Sequence, residues 1–166
     1  MSDGTPRAGG EPVLGWSDAF VLGHEPMDET HREFVALVRA MQTGPEDRLA
    51  DLLAEFEVHA RRHFEDEDRW MVETGFPPRD CHIDEHAAVL RSVVQVREVV
   101  AQGEIGQVRR LADALADWFP GHADWLDSAL AHWLCKRALG GKPVVLRRDL
   151  RSVLAEGRAE TGVPGR

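Results

Sequence analysis

From Asp28 to Leu130 the chain repeats one pattern four times: apolar residues recur three and four positions apart, then glycine or proline interrupts. That period belongs to amphipathic helices, because side chains at i, i+3, i+4 and i+7 share one face. Helices joined by turns of a few residues return antiparallel and bury their stripes against one another. The chain therefore reads as all-α: an antiparallel up-down four-helix bundle with a flexible N-terminal lead-in and a short C-terminal helix.

The first helix is expected from Asp28 to Met41, with Met27, His31, Phe34, Val38 and Met41 on one face, before Gly44-Pro45. The second runs from Glu46 to Thr74 and carries Leu49, Leu53, Phe56, Ala60, His63, Glu67 and Met71 on its stripe. Gly75, Pro77 and Pro78 turn the chain, and Pro78 suits the opening of the third helix, Arg79 to Gln102, which Gly103 closes. The fourth begins near Ile105 and presents Val108, Leu111, Leu115, Trp118, His122, Leu126 and Leu130. Pro120 lies inside it, lacks a backbone donor and predicts a kink or break between Asp117 and Gly121.

Residues 1–15, rich in Gly, Pro and small polar side chains, read as the flexible segment, and Trp16 and Phe20 open the bundle, 16–140. The tail, 141–166, is basic. Residues 142–166 hold six Lys/Arg against three Asp/Glu, so a chain of net charge −9 divides into +3 there and −12 elsewhere. Leu146, Leu150, Val153 and Leu154 predict one short helix, packed on the bundle or docking a protein partner.

Polar groups interrupt the apolar stripes. His31, His63, Glu67, His82, His86, His122 and Asp127 all fall on inward faces, where an unpaired imidazole or carboxylate is costly to bury. His63 and Glu67 are four apart, as are His82 and His86, so each pair shares a face one turn apart. His122 and Asp127 are five apart, about 140° around an ideal helix. Both still reach one site if the Asp127 carboxylate leans inward, or if a local wide turn near Pro120 rotates it. Such groups converging from four helices point to a metal pocket inside the bundle.

Counting donors indicates its kind. Structural zinc closes its shell with four ligands, fewer than the seven offered here. Five imidazole nitrogens, two bridging carboxylates and one shared oxygen fill all but a single position of an octahedral pair. Imidazole-rich, oxygen-bridged coordination suits iron, and neutral nitrogen donors favour reversible dioxygen binding over oxygen cleavage.

The remaining composition narrows the classes. Tyrosine is absent, which excludes tyrosyl-radical chemistry. Net charge −9 argues against nucleic acid as a partner. Met1–Leu14 holds no apolar run that resembles a signal segment and no stretch reaches membrane-spanning length, so a cytoplasmic protein without a membrane partner is expected. Cys81 and Cys135 are too few for a disulfide framework and read as small buried or half-buried side chains.

Together, Met27-Asp28-Glu29-Thr30-His31, His63-Phe64 with Glu67, Asp68 and Met71, Gly75-Phe76-Pro77, His82-x3-His86 and Trp118-Phe119-x2-His122-x4-Asp127 resemble the hemerythrin family, in particular its single-domain bacteriohemerythrins. The resemblance covers roughly Trp16 to Leu139. It implies two iron ions joined by an oxo or hydroxo bridge, one held by His82, His86 and His122, the other by His31 and His63, with Glu67 and Asp127 bridging. It also implies that dioxygen, or another small diatomic ligand, binds at the iron with two histidines.

Phe64, Trp118, Phe119 and Ala123 are expected to shape the oxygen pocket. The family commonly has Trp-Leu where this chain has Trp118-Phe119, and often isoleucine where it has Ala123; Pro120-Gly121 directly precede His122. Either Ala123 admits water and Phe119 closes the pocket again, or the two changes are a simple swap of volume. His59, where the family often has tyrosine, reads as a hydrogen-bonding support for a ligand or a packing residue. His24 and His132 read as peripheral, Trp133 as core, and the run Glu65-Asp66-Glu67-Asp68 as a solvated face from which only Glu67 turns inward. The expected function is reversible dioxygen binding for storage, delivery or sensing. The alternatives are a di-iron oxidase, peroxidase or nitric-oxide-handling enzyme, and a regulatory module acting through the tail.

Overall fold

The apolar stripes do assemble as four helical segments side by side. The structure, a computed structural model, describes residues 12–140, and no strand occurs among them. The elements are α1 (Glu25–Thr43), α2 (Leu49–Thr74), α3 (Arg79–Val100), α4 (Gln107–His122) and α5 (Ser128–Ala138), with a π-helical turn at Ala123–Asp127 between the last two. Helix α1 packs on α2 and α4, and α3 closes the ring by packing on both of those neighbours. The compact unit ends at Cys135. The expected helix around Leu146, Leu150, Val153 and Leu154 lies outside the described residues.

Helix ends follow from local chemistry. Helix α1 starts three residues before its expected first residue, with Pro26 in its first turn. The buried Asp28 carboxylate accepts the backbone N–H groups of Leu22 (2.7 Å) and Gly23 (3.0 Å), which anchors the incoming chain. At the other end, a Cβ on Gly44 would stand 2.6 Å from the Ala40 carbonyl, so only glycine fits that exit. Helix α2 begins after a single 3-10 turn at Glu46–Arg48 and stops at Gly75, whose left-handed backbone (φ 65°) caps the last carbonyls.

Residues 12–15, the end of the expected lead-in, are held to the bundle. Leu14 is buried and donates its N–H to Gln42 Oε1 at 2.8 Å, while Gln42 Nε2 donates to Asp113 at 2.9 Å. Arg109 of α4 reaches over the C-terminus of α1 and donates to the carbonyls of Gln42 and Gly44, both at 2.7 Å. The N-terminal chain, α1 and α4 are thus tied together at one end. Between α2 and α3, the buried Glu57 carboxylate binds Arg61 (2.8 Å) and Arg97 (3.0 Å).

Pro120 does not break α4, one of the two outcomes expected there. The helix continues through it to His122, and the irregularity appears directly afterwards. There the Ser128 N–H bonds the Ala123 carbonyl five residues back, which widens the turn by one residue. Proline removes one donor and crowds the preceding turn, but both are tolerated when the chain remains clamped on its apolar side. That side is well filled: Leu115, Phe119, Ala123 and Leu130 are all buried.

The core is divided in two. A large cluster centred on Phe34, Phe56, Phe64, Val93 and Leu115 fills one end, and a small one, Met27, Met71, Phe76, Leu130 and Ala131, fills the other. On α1 the order is Met27, His31, Phe34; on α2 it is Phe64, Glu67, Met71; along the fourth segment it is Phe119, His122, Asp127, Leu130. The polar residues therefore occupy one layer between two apolar ones.

Candidate metal centre

All seven residues of that layer are at most 5% exposed, and their polar atoms converge. Helix α1 supplies His31, α2 supplies His63 and Glu67, α3 supplies His82 and His86, and the fourth segment supplies His122 and Asp127. The π-turn resolves the five-residue spacing: by adding a residue to the turn it swings Asp127 onto the face of His122, with His122 Nε2 3.1 Å from Asp127 Oδ1. A wide turn here is one of the two ways in which the sequence allowed Asp127 to reach the site.

The two carboxylates each divide their oxygens between two sets of imidazoles. Glu67 Oε1 faces His63 Nε2 (3.0 Å) and His31 Nε2 (3.8 Å), while Oε2 faces His86 Nε2 (3.3 Å) and His82 Nε2 (3.7 Å). Asp127 Oδ2 faces His31 Nε2 (3.1 Å), while Oδ1 faces His82 Nε2 (3.0 Å) and His122 Nε2 (3.1 Å). Two clusters result, Glu67-His82-His86-His122-Asp127 and His31-His63-Glu67, within each of which the candidate ligand atoms lie within 4.8 Å of one another.

Hydrogen bonding does not satisfy this arrangement. Both Asp127 oxygens, Glu67 Oε2, His31 Nε2 and His86 Nε2 are buried and lack a hydrogen-bond partner. Each such group left unpaired costs about 1–3 kcal/mol. Five imidazole nitrogens and two anionic carboxylates aimed at one another form a donor set that cations satisfy and protons satisfy poorly. The residues fit a pair of metal ions.

Electrostatics agrees. Burial and the Asp127 charge press Glu67 toward its neutral form, yet the His63 and His86 interactions prevail and hold its carboxyl down at about 2. Asp127 is raised by burial but pulled well below the usual carboxylate range by His122, His31 and His82. Burial lowers His86, but Asp68 and Glu67 push it up to about 9; His122 is likewise raised against burial, by Asp127 and Glu85. The carboxylates stay ionised and demand positive charge at the centre of the layer.

Two acids support the ligands from behind: Asp68, named in the sequence only as a motif and surface residue, and Glu85, which the sequence did not single out. Asp68 Oδ1 lies 2.7 Å from His86 Nδ1, and Glu85 Oε2 lies 2.9 Å from His122 Nδ1 and accepts the Trp118 indole N–H at 3.3 Å. Asp68 is thus not part of a purely solvated run. Both lie off the apolar stripes, and their partners are 18 and 37 residues away, so no local spacing marks them.

The expected pocket residues all border the layer. Phe119 packs edge-on to His31 (5.2 Å) and stacks on Phe34 (4.8 Å), Phe64 stacks on His86 (4.1 Å) beside His63 (5.1 Å), and Trp118 covers His122 (4.2 Å). Ala123 and Phe119 are each 1% exposed. His59 packs against Phe34 and His63 with Nδ1 3.3 Å from Glu33 Oε2, but it makes no hydrogen bond to a candidate ligand. His24 lies edge-on to Trp70, His132 is exposed, Trp133 is half-buried against Phe76, Cys135 is half-buried, and Cys81 is exposed rather than buried. Among the described residues no helix is long and apolar enough to cross a membrane.

Comparison with known proteins adds an independent line. The sequence profile of the hemerythrin HHE cation binding domain matches residues 22–134. A bacteriohemerythrin of Ralstonia nicotianae is 36% identical over 126 residues, covering 76% of this chain and 92% of that protein. No solved structure matches the chain.

Proposed function

The chain belongs to the hemerythrin family, and from that premise we propose that it is a non-haem di-iron protein that binds dioxygen reversibly, for storage, delivery or sensing. The observation that carries this reading is the division of each carboxylate between a set of three imidazoles and a set of two. His82, His86 and His122 would hold one iron, His31 and His63 the other, with Glu67 and Asp127 bridging. The set of two is one donor poorer, and that is where a small ligand would enter. Two ferrous ions held there would supply the electrons that dioxygen binding draws on and recover them on release.

The chain's own residues do the rest. Phe119, Phe34 and Phe64 surround the imidazoles with apolar rings, keep bulk water out and lower the local dielectric. His59, which packs against His63, is turned toward Glu33. The test is to load the protein with iron, count two ions per chain, reduce it, admit dioxygen and follow the charge-transfer absorption. Return of the reduced spectrum when the gas is removed supports the reading. One-way conversion to the diferric form, or one metal per chain, overturns it.

A further inference from the structure

Five imidazoles turn Nε2 toward the centre of the layer, yet they are not equally supported. His86 Nδ1 lies 2.7 Å from the Asp68 carboxylate, and His122 Nδ1 lies 2.9 Å from the Glu85 carboxylate. The Nδ1 atoms of His31, His63 and His82 are buried and have no hydrogen-bond partner. Both supported rings belong to the set of three. The set of two has no carboxylate behind it.

The asymmetry has a chemical consequence. A histidine that offers Nε2 to a cation carries its proton on Nδ1, and a carboxylate accepting that proton fixes the tautomer, locks the ring and raises the basicity of Nε2. Asp68 has a side chain 32% exposed and so remains partly shielded from solvent. Glu85 is more exposed, at 47%, but is steadied by the Trp118 indole, whose ring also lies 4.2 Å from His122. No equivalent rigidity is available to His31 and His63, which are kept in place by packing against Phe119 and Phe34.

We infer that Asp68 and Glu85 are positioning residues that make the three-histidine position the tighter of the two metal positions and the first to fill. The inference rests on the two-metal reading above. It separates the roles of the two positions: one is built to retain its ion, the other is left weaker, with a ligand-accessible shell.

The test uses the full-length chain stripped of metal and titrated with Zn²⁺, which has no redox chemistry to obscure the result. Calorimetry should resolve two unequal steps. Asp68→Asn and Glu85→Gln keep size and shape and should each weaken the first step by about 10–100-fold while leaving the second unchanged. Asp66→Asn, a change in an acid that pairs on the surface with Arg69 at 2.7 Å, should alter neither. In the Zn²⁺-loaded wild type the Nδ1 protons of His86 and His122 should exchange slowly with water, and those of His31 and His63 faster; this readout does not depend on how well the variants fold. Equal weakening of both steps, no weakening, or equal exchange at all these rings overturns the inference while a stoichiometry of two still upholds the di-metal reading. A stoichiometry of one overturns both.

Discussion

Phe119→Ala tests how the layer is kept dry. Phe119 is 1% exposed, stacks on Phe34 at 4.8 Å and meets Phe20 at 5.1 Å and His31 at 5.2 Å edge-on. Truncating a ring so enclosed removes its burial and leaves a cavity, a loss of about 3–5 kcal/mol, of which each aromatic pair accounts for about 0.5–1.5 kcal/mol. With a urea slope of about 2 kcal/mol/M for a domain of this size, the midpoint should fall by about 1.5–2.5 M at unchanged slope. The cavity adjoins His31, so iron-loaded variant protein should also autoxidise faster than wild type. Phe119→Leu, which returns most of the volume, should recover more than half of both effects. A midpoint shift below about 0.5 M at unchanged slope, or wild-type autoxidation in the alanine variant, refutes the view that this ring seals the site.

Three further outcomes follow from the same geometry. His59 is held down at about 4, first by burial and then by the charges of His63, Arg62 and His31, so below about pH 6.5 the unfolded chain takes up a proton that the folded chain refuses. Stability should fall from pH 6.5 toward 4 by about 2 kcal/mol after allowance for partial solvent screening, and His59→Gln should lack that part of the decline; parallel pH profiles would count against it. Gln42→Ala leaves the buried Leu14 N–H without its acceptor and should cost about 1–3 kcal/mol, with faster amide exchange at Leu14 than in the helices; protection as in the wild type refutes the strap. Chelation should lower the melting temperature, because an ion present at about a thousand times its Kd contributes about 4 kcal/mol per site, or roughly 8–16 °C; equal melting with and without metal excludes a coupled site.

The helices were legible because each is announced locally. His63 and Glu67, or His82 and His86, repeat every four residues on an apolar stripe, and a polar group there reads as a ligand whatever the neighbouring helix does. The role of Asp28, named only as a helix start and a motif residue, was not legible because it serves the backbone of Leu22 and Gly23 rather than a stripe. Glu85 and Asp68 were hidden for a related reason: on their own helices they look like solvated acids, and only the approach of α3 to the fourth segment and to α2 gives them partners. The irregularity of the fourth segment falls not at Pro120 itself but directly after it, at Ala123–Asp127, where a spare residue is absorbed and Asp127 turns inward.

The amino-acid order alone therefore determined the helical class, the number of long segments and six of the seven inward polar groups, which depend on spacing within a single helix, while Asp127 comes onto the face of His122 through the π-turn. The tertiary structure alone decided which oxygen of Glu67 or Asp127 serves which imidazoles and which rings have a carboxylate behind them. Those properties arise between side chains far apart in the chain, and close packing of the helices, not periodicity, sets the distances between them.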